Sequence, residues 1–348
     1  MDFGDGAVFV IAMLVALPSA AAISALITAL SIRYARRRGM LDQPGQRRSH
    51  TIATPRGGGI GIVAVACIAC AAELMGGKPV ALLAAIVLVA AAGWIDDHRG
   101  LGVVPRLLLH AAAAGIFLTS LRHADALSPL VFASYGMAFM GIVWSINLHN
   151  FMDGINGILA WQAVFVLGVL SLICAQRLES TSHAAVLVLT ASATVGFLPF
   201  NFPRARVFMG DVGSGVLGLL IAIGVLWQMT IAEAAMFSGV IASSAFVTDA
   251  TCTLLSRMLR GRRWYSAHRE HLYQWMTRIG MSHAQVVAWY MGWNLLVVVP
   301  VLYLANRGDK PGTGLFWAIA IYTLAIVVWL LGKRWCLNKI KNPTKQKV

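Results

Sequence analysis

Long apolar runs broken by short polar connectors organise the whole chain. Because about 20 apolar residues cross a hydrocarbon core as a helix, the pattern predicts eleven spans, at 7–31, 58–75, 79–95, 105–121, 130–148, 158–175, 183–200, 214–234, 236–256, 284–305 and 313–331. A backbone in lipid must satisfy its own polar groups, so such runs are expected to be helical. The expected fold class is therefore all-α, a polytopic integral membrane protein of about eleven transmembrane helices. It forms a single unit over residues 1–348 with a basic tail at 333–348.

The charges sort by side. The first run follows Asp2 and Asp5 rather than a positive leader and precedes Arg33, Arg36, Arg37 and Arg38, so it reads as a retained anchor with its N-terminus outside. Threading the other spans from that start puts 23 of the 28 Lys and Arg on the cytoplasmic side and leaves Lys78, Arg122, Arg177, Arg307 and Lys310 outside. That distribution obeys the positive-inside rule and leaves the C-terminus cytoplasmic.

Composition agrees, since 58% hydrophobic and 12% charged residues with a mean hydropathy of +0.73 exclude an ordinary soluble domain. The net charge of +14 needs no nucleic acid, because a basic rim facing anionic headgroups of the bilayer accounts for it. The same field would draw an anionic substrate. The five cysteines are odd in number and mostly inside spans, so no disulfide framework is expected; Cys67 and Cys70 read as small helix-packing residues.

Candidate chemistry lies in the cytoplasmic connectors, at about 33–57, 96–105, 147–158, 201–214 and 257–283. The third span ends in Trp94-Ile95-Asp96-Asp97-His98-Arg99-Gly100. Adjacent carboxylates on a helix point about 100° apart, so Asp96 and Asp97 are expected to do different jobs. The fifth span runs into Asn147-Leu148-His149-Asn150-Phe151-Met152-Asp153-Gly154-Ile155-Asn156-Gly157. Its amides suit a hard metal on one edge and a nucleobase on the other.

Asp211, set between Gly210 and Val212-Gly213 just before the eighth span, is either an N-cap or a metal carboxylate at a helix start. His268-Arg269-Glu270-His271 offers two histidines at i and i+3 that can share a helix face and, with Arg269, hold phosphate oxygens. A transition metal is disfavoured there because no cysteine or third histidine is near. His50, Thr54 and Arg56-Gly57-Gly58-Gly59 precede the second span, where the glycines allow close packing or a backbone approach to phosphate. Asp249 is an acid within the ninth span, either a polar helix contact or a functional group.

Taken together, Asp96-Asp97, the Asn150 to Gly157 segment, Phe208-Met209-Gly210-Asp211-Val212-Gly213-Ser214 and His268-Arg269-Glu270-His271 resemble, in order and placement, the polyprenyl-phosphate N-acetylhexosamine-1-phosphate transferases. That family includes phospho-MurNAc-pentapeptide translocase and the initiators of O-antigen and teichoic acid synthesis. Within it the chain is most similar to the O-antigen branch, through the Asp-Asp-His-Arg and His-Arg-Glu-His-Leu-Tyr-Gln forms.

The resemblance implies ten or eleven helices in the bacterial inner membrane and an active site facing the cytoplasm. It also implies Mg²⁺, with Mn²⁺ as a substitute, a UDP-N-acetylhexosamine donor and undecaprenyl phosphate as acceptor; homodimers occur in the family. The implied metal ligands are Asn150 and Asp211, and the uridine segment is Asp153, Gly154 and Asn156, where Asn156 replaces a frequent Asp. Asp96 and Asp97 would act on or orient the lipid phosphate. His268 and His271 would contact the donor phosphates, with Asn147, Arg269, His50, Thr54 and Arg99 as further substrate contacts. The sugar is not fixed, and Arg262, Arg263, Trp264 and Tyr265 are the candidates for reading it. A secondary transporter or lipid flippase is the alternative, for which Asp249 is the one candidate buried charge.

Overall fold

A computed structural model gives the architecture and describes residues 3–43, 52–75, 80–121, 129–176, 181–231, 237–262, 269–307 and 312–342. Within these the protein is helical apart from one two-residue antiparallel ladder, β1 (Leu41–Asp42) with β2 (Thr54–Pro55). The helices are α1 (Phe3–Arg38), α2 (Ile60–Met75), α3 (Ala81–Arg99), α4 (Val103–Leu118), α5 (Pro129–Met152), α6 (Ile158–Cys174) and α7 (Thr181–Asn201). After them come α8 (Gly210–Ile231), α9 (Ser238–Ala242), α10 (Ser244–Leu259), α11 (Leu272–Arg278), α12 (His283–Trp293), α13 (Val299–Arg307) and α14 (Thr313–Lys341).

Every predicted span overlaps one of these helices. Among the described residues six helical runs are long and apolar enough by themselves to cross a membrane, consistent with an all-α membrane protein. Three stretches show detail that the apolar runs do not carry. Span 236–256 is two helices, α9 and α10, that meet at Ser243. The connector at 257–283 carries a helix of its own, α11. The connectors at 96–105 and 147–158 are largely helical, because α3 runs on through Arg99 and α5 through Met152. Polar side chains do not stop a helix; they mark only where its apolar stretch ends.

The centre is α8, whose Val212, Val216, Leu217, Leu219, Leu220, Ile221 and Ile223 are all buried. A helix apolar on every side belongs inside a bundle, and α8 is packed by α2, α3, α5, α6 and α7. Lipid gives no hydrophobic drive between helices, so close contacts rest on small residues. Gly61 of α2 lies against the backbone of Ser24 in α1, and Gly196 of α7 against that of Ala21. The single run 283–307 contains a π-helical turn, Asn294–Val298, where Asn294 donates to Gln162 of α6 at 2.8 Å. On the outer helices Leu26, Leu296, Phe316 and Leu331 remain exposed, as a lipid-facing surface requires.

Candidate active site

The site is built on the start of α8. The first N–H groups of any helix lack partners within it, and in α8 those of Asp211 and Val212 donate to the Asp97 carboxylate at the end of α3, at 3.1 and 3.3 Å. The Asp97 side chain has no exposed surface, and its nearest cation is Arg56, 4.0 Å away. Two glycines permit this approach. A Cβ at Gly93 would collide with the backbone of Asp211 and Val212, and one at Gly210, which has a φ of 77°, would collide with the Asp97 carboxylate.

Asp96 points elsewhere, as its place on the helix dictates. It accepts the Leu101 N–H at 2.5 Å and faces Arg106 of α4 at 3.6 Å. The same guanidinium nitrogen of Arg106 donates to Asp211 at 3.1 Å. Arg106 therefore ties Asp96 to Asp211 on one side while Asp97 holds the Asp211 backbone on the other.

Beside this cluster opens a cleft of about 260 Å³. Asn150, Asp153, Gly154 and Ile155 from the end of α5 line one wall, and Phe208, Gly210 and Asp211 from the start of α8 another. Asp42 and Arg56 enter from the β1–β2 ladder, Asn201 from α7, and Arg269, Gln274 and Thr277 from α11 and its approach. The 55–59 segment is fixed by Phe208 N–H to Pro55, Gly58 N–H to Phe208 and Gly59 N–H to Met209, at 2.8 to 2.9 Å. Its glycines thus serve close packing: a Cβ at Gly59 would meet Gly213.

Burial, reinforced by the charges of Asp211 and Asp97 and opposed by Arg56, holds the Asp153 carboxyl well above the ordinary carboxylate range. Asp42, Asp153 and Asp211 lining one cleft, with Asp97 buried behind it, create a demand for positive charge. Asn150 donates its amide nitrogen to Ser214 at 3.2 Å, which leaves the amide oxygen as its uncommitted donor atom. Among the described residues no three His, Cys, Asp or Glu gather as a metal set. The hard oxygens of Asn150 and Asp211 still suit a cation that takes few protein ligands and completes its shell with water and phosphate oxygens, which is the chemistry of Mg²⁺.

Of the predicted residues, Asn150, Asp153, Gly154, Asp211 and Arg269 line the cleft. Gly154 is required by Tyr273, whose hydroxyl would collide with any Cβ there and donates to Phe151 at 2.9 Å. The other placements differ. Asn147 donates to Val143 within its own helix at 2.7 Å, Asn156 donates to Pro203 at 3.0 Å, and Thr54 is buried and donates to Ile52 at 2.9 Å. These three side chains are spent on local structure. Arg99 is exposed at the end of α3, and Arg106 takes the place beside the acids instead. His271 does not face the cleft: it is 2% exposed, has extended backbone as the N-cap of α11, and stacks on Tyr273 at 5.7 Å. His50 and His268, with Arg263, Trp264 and Tyr265, lie outside the described residues.

Asp249 has a structural use. Its carboxylate accepts the N–H groups of Leu272 and Tyr273 that start α11, at 2.8 and 3.4 Å. It also accepts Thr253 at 3.2 Å, Tyr290 at 2.7 Å and Trp329 at 2.9 Å. Buried donors left unmade cost about 1–3 kcal/mol each. Asp249→Ala is therefore expected to destabilise the protein by about 2–4 kcal/mol, read as a lowered midpoint of thermal unfolding in detergent.

Among known proteins, the family profile of glycosyl transferase family 4 matches residues 79–229, the stretch that carries Asp96, Asp97, Asn150, Asp153 and Asp211. Over that stretch the chain is similar to glycosyl transferase family 4. It is 26% identical to the decaprenyl-phosphate N-acetylglucosaminephosphotransferase of Mycobacterium leprae, over 91% of this chain and 90% of that protein. It is 26% identical to a probable undecaprenyl-phosphate N-acetylglucosaminyl 1-phosphate transferase of Bacillus subtilis, covering 75% of this chain and 76% of the relative. A phospho-N-acetylmuramoyl-pentapeptide-transferase of Synechocystis is 31% identical over 50% of this chain and 53% of its own length.

The family 4 segment leaves out Arg56, Arg269, Gln274 and Thr277, so the cleft is completed from both flanks. Arg56, Asp42, Asn201, Phe208 and Gln274 stand inside connectors that the sequence had marked, without any sign of their individual roles. Thr277 likewise stands in the marked connector 257–283, and Arg106 carried no signal beyond being polar at the edge of a span. What brings them to the site is helix direction, which pattern alone does not give.

Proposed function

We propose that the chain transfers an N-acetylhexosamine 1-phosphate from a UDP-linked donor to a polyprenyl phosphate, undecaprenyl phosphate in the first instance, and releases UMP. One observation carries this reading: Asp153, Asp211 and the amide of Asn150, all at helix ends, share a single cleft with Asp42, Arg56 and Arg269, in a chain whose outer helices expose apolar side chains. The relatives are named for the same class of reaction with decaprenyl or undecaprenyl carriers. The positive-inside pattern supports a cytoplasmic cleft in a bacterial inner membrane, and the Asp-Asp-His-Arg form supports an O-antigen or related envelope glycan.

In this reaction an oxygen of the lipid phosphate attacks the phosphorus attached to the sugar, the bond from that phosphorus to the bridging oxygen breaks, and UMP leaves with the electron pair. Both reactants are anions, so charge neutralisation and in-line placement dominate. Arg56 and Arg269, both lining the cleft, bind and screen the phosphates. No strong base is needed, because a phosphate monoester with a second pKa of about 6 is already largely ionised near neutral pH. Asn150 and Asp211 would hold Mg²⁺, which would neutralise charge on the donor diphosphate and on the departing UMP. Asp153 and Gly154 serve the nucleoside end, where the loop is pinned over Tyr273. The intramembrane acid that a coupled transporter would need, Asp249, is occupied in capping α11.

The test is UMP release by the detergent-purified chain with undecaprenyl phosphate, Mg²⁺ and a panel of UDP-N-acetylhexosamines. Release that requires both lipid and Mg²⁺, and that falls at least about 100-fold in Asp211→Asn, is the expected result. Release unaffected by omitting the lipid, or a full-rate Asp211→Asn, overturns the reading.

A further inference from the structure

The basic end of α14 carries a second site, away from the cleft. Lys333 is 7% exposed, yet its ammonium group has no hydrogen-bond partner among the described residues. It sits over the Trp329 ring at 4.3 Å, in the contact between α14 and α10. The nearby acids are committed elsewhere. Asp249 is satisfied by five donors, Trp329 Nε1 among them, and Glu270 is shared by Arg257 and by Arg262 at 3.0 Å. Arg260, exposed at the end of α10, is close enough to repel Lys333, and the charges of Asp249 and Glu270 offset part of that repulsion without accepting a hydrogen bond from it.

Burying a charged amine without an acceptor is costly, and like charges raise that cost. The arrangement makes sense if an anion completes it. Its depth is marked by Trp335, 52% exposed two residues further along α14, with Lys339 at 5.3 Å over its ring. Tryptophan and lysine paired at a helix end is the signature of the headgroup level of a bilayer. Leu255, Met258 and Leu259 on α10 and Leu330 on α14 are exposed beside it, an apolar surface suited to acyl chains.

We propose that the α10–α14 junction, centred on Lys333 and Arg260, binds the phosphate headgroup of an anionic phospholipid such as phosphatidylglycerol. A phosphate oxygen supplies the acceptor that Lys333 lacks, Arg260 screens the second oxygen, and the acyl chains lie along the exposed apolar residues. Basic pockets between helices at headgroup level take anionic lipids by this chemistry.

The experiment measures thermal unfolding and lipid retention by native mass spectrometry for the delipidated full chain in neutral detergent. Phosphatidylglycerol, phosphatidylcholine or inorganic phosphate is added to the wild type, Lys333→Met and Arg260→Gln. Phosphatidylglycerol is expected to raise the unfolding midpoint of the wild type and to remain bound, while the other two additions do neither. Each variant should bind phosphatidylglycerol about fivefold more weakly, the factor corresponding to about 1 kcal/mol per cation near a membrane surface. Lys333→Met should also melt no lower than the wild type without lipid, because it removes a buried ammonium that has no hydrogen-bond acceptor among the described residues. A lower lipid-free midpoint would make Lys333 a structural counter-ion and overturn the site. Equal stabilisation by phosphatidylcholine or by inorganic phosphate would do the same, as would undiminished phosphatidylglycerol binding in Arg260→Gln, an exposed position that leaves folding intact.

Discussion

Asp97→Ala is expected to lower turnover about 10²–10³-fold and to weaken Mg²⁺ binding about 10–100-fold, with the Michaelis constant for the lipid acceptor little changed. The carboxylate of Asp97 is sealed from the cleft and accepts the two N–H groups that open α8. Its removal leaves those donors unpaired and frees the turn that carries Asp211. A group that acted on the acceptor phosphate would show the opposite split, with metal affinity kept and lipid kinetics lost. Asp97→Asn retains one acceptor oxygen but turns an amine toward a backbone N–H, so it should fall between the wild type and alanine. The measurement is kcat and KM for each substrate beside Mn²⁺ binding followed by electron paramagnetic resonance. Unchanged Mn²⁺ affinity in Asp97→Ala would return Asp97 to a direct role.

This assignment shows what the sequence could and could not disclose. That Asp96 and Asp97 diverge followed from helical geometry, and the structure sends one to Leu101 and Arg106 and the other to α8. Which of them would be sealed was not legible, because it depends on the rotation of α3 against α8. The same limit applies to the amides. Asn147, Asn150 and Asn156 are alike in sequence, yet only Asn150 lines the cleft, since Asn147 turns along its own helix and Asn156 faces Pro203.

Hydrophobic runs located the helices well because lipid exposure and helix length impose one strong constraint. They overlooked α11, whose seven residues are too short for that signal and whose start depends on Asp249 from a distant helix. The backbone at His271 was hidden for a related reason. A spacing of i and i+3 brings residues together only on a helix, and His271 is the extended residue before one. Both acids that cap a neighbouring helix, Asp97 and Asp249, are legible as unusual charges at or within a span, and their partners are visible only in three dimensions.

Gly93→Ala should cost about 100-fold in turnover, although it adds one methyl group to a residue that touches no substrate. The added Cβ would fall on the backbone of Asp211 and Val212, and neither backbone can yield as a flexible side chain would. Relief requires α3 and α8 to separate at the point where Asp97 meets the α8 start. A displacement of about 1 Å between positioning and reacting groups costs about 10² in rate, and this one would move Asp211 relative to Asn150 and Asp153 on α5. The matched control is Gly141→Ala in α5, where a Cβ meets nothing within 4 Å. Alanine is favoured over glycine in a helix by about 0.5–1 kcal/mol, so that variant should keep full activity and melt at the same temperature or higher. UMP release and thermal unfolding of the two variants, side by side, separate a lost contact geometry from a general effect of filling helical glycines. Full activity in Gly93→Ala would mean that the α3–α8 approach does not set the site, and Asp97 would then lose its claim to position Asp211.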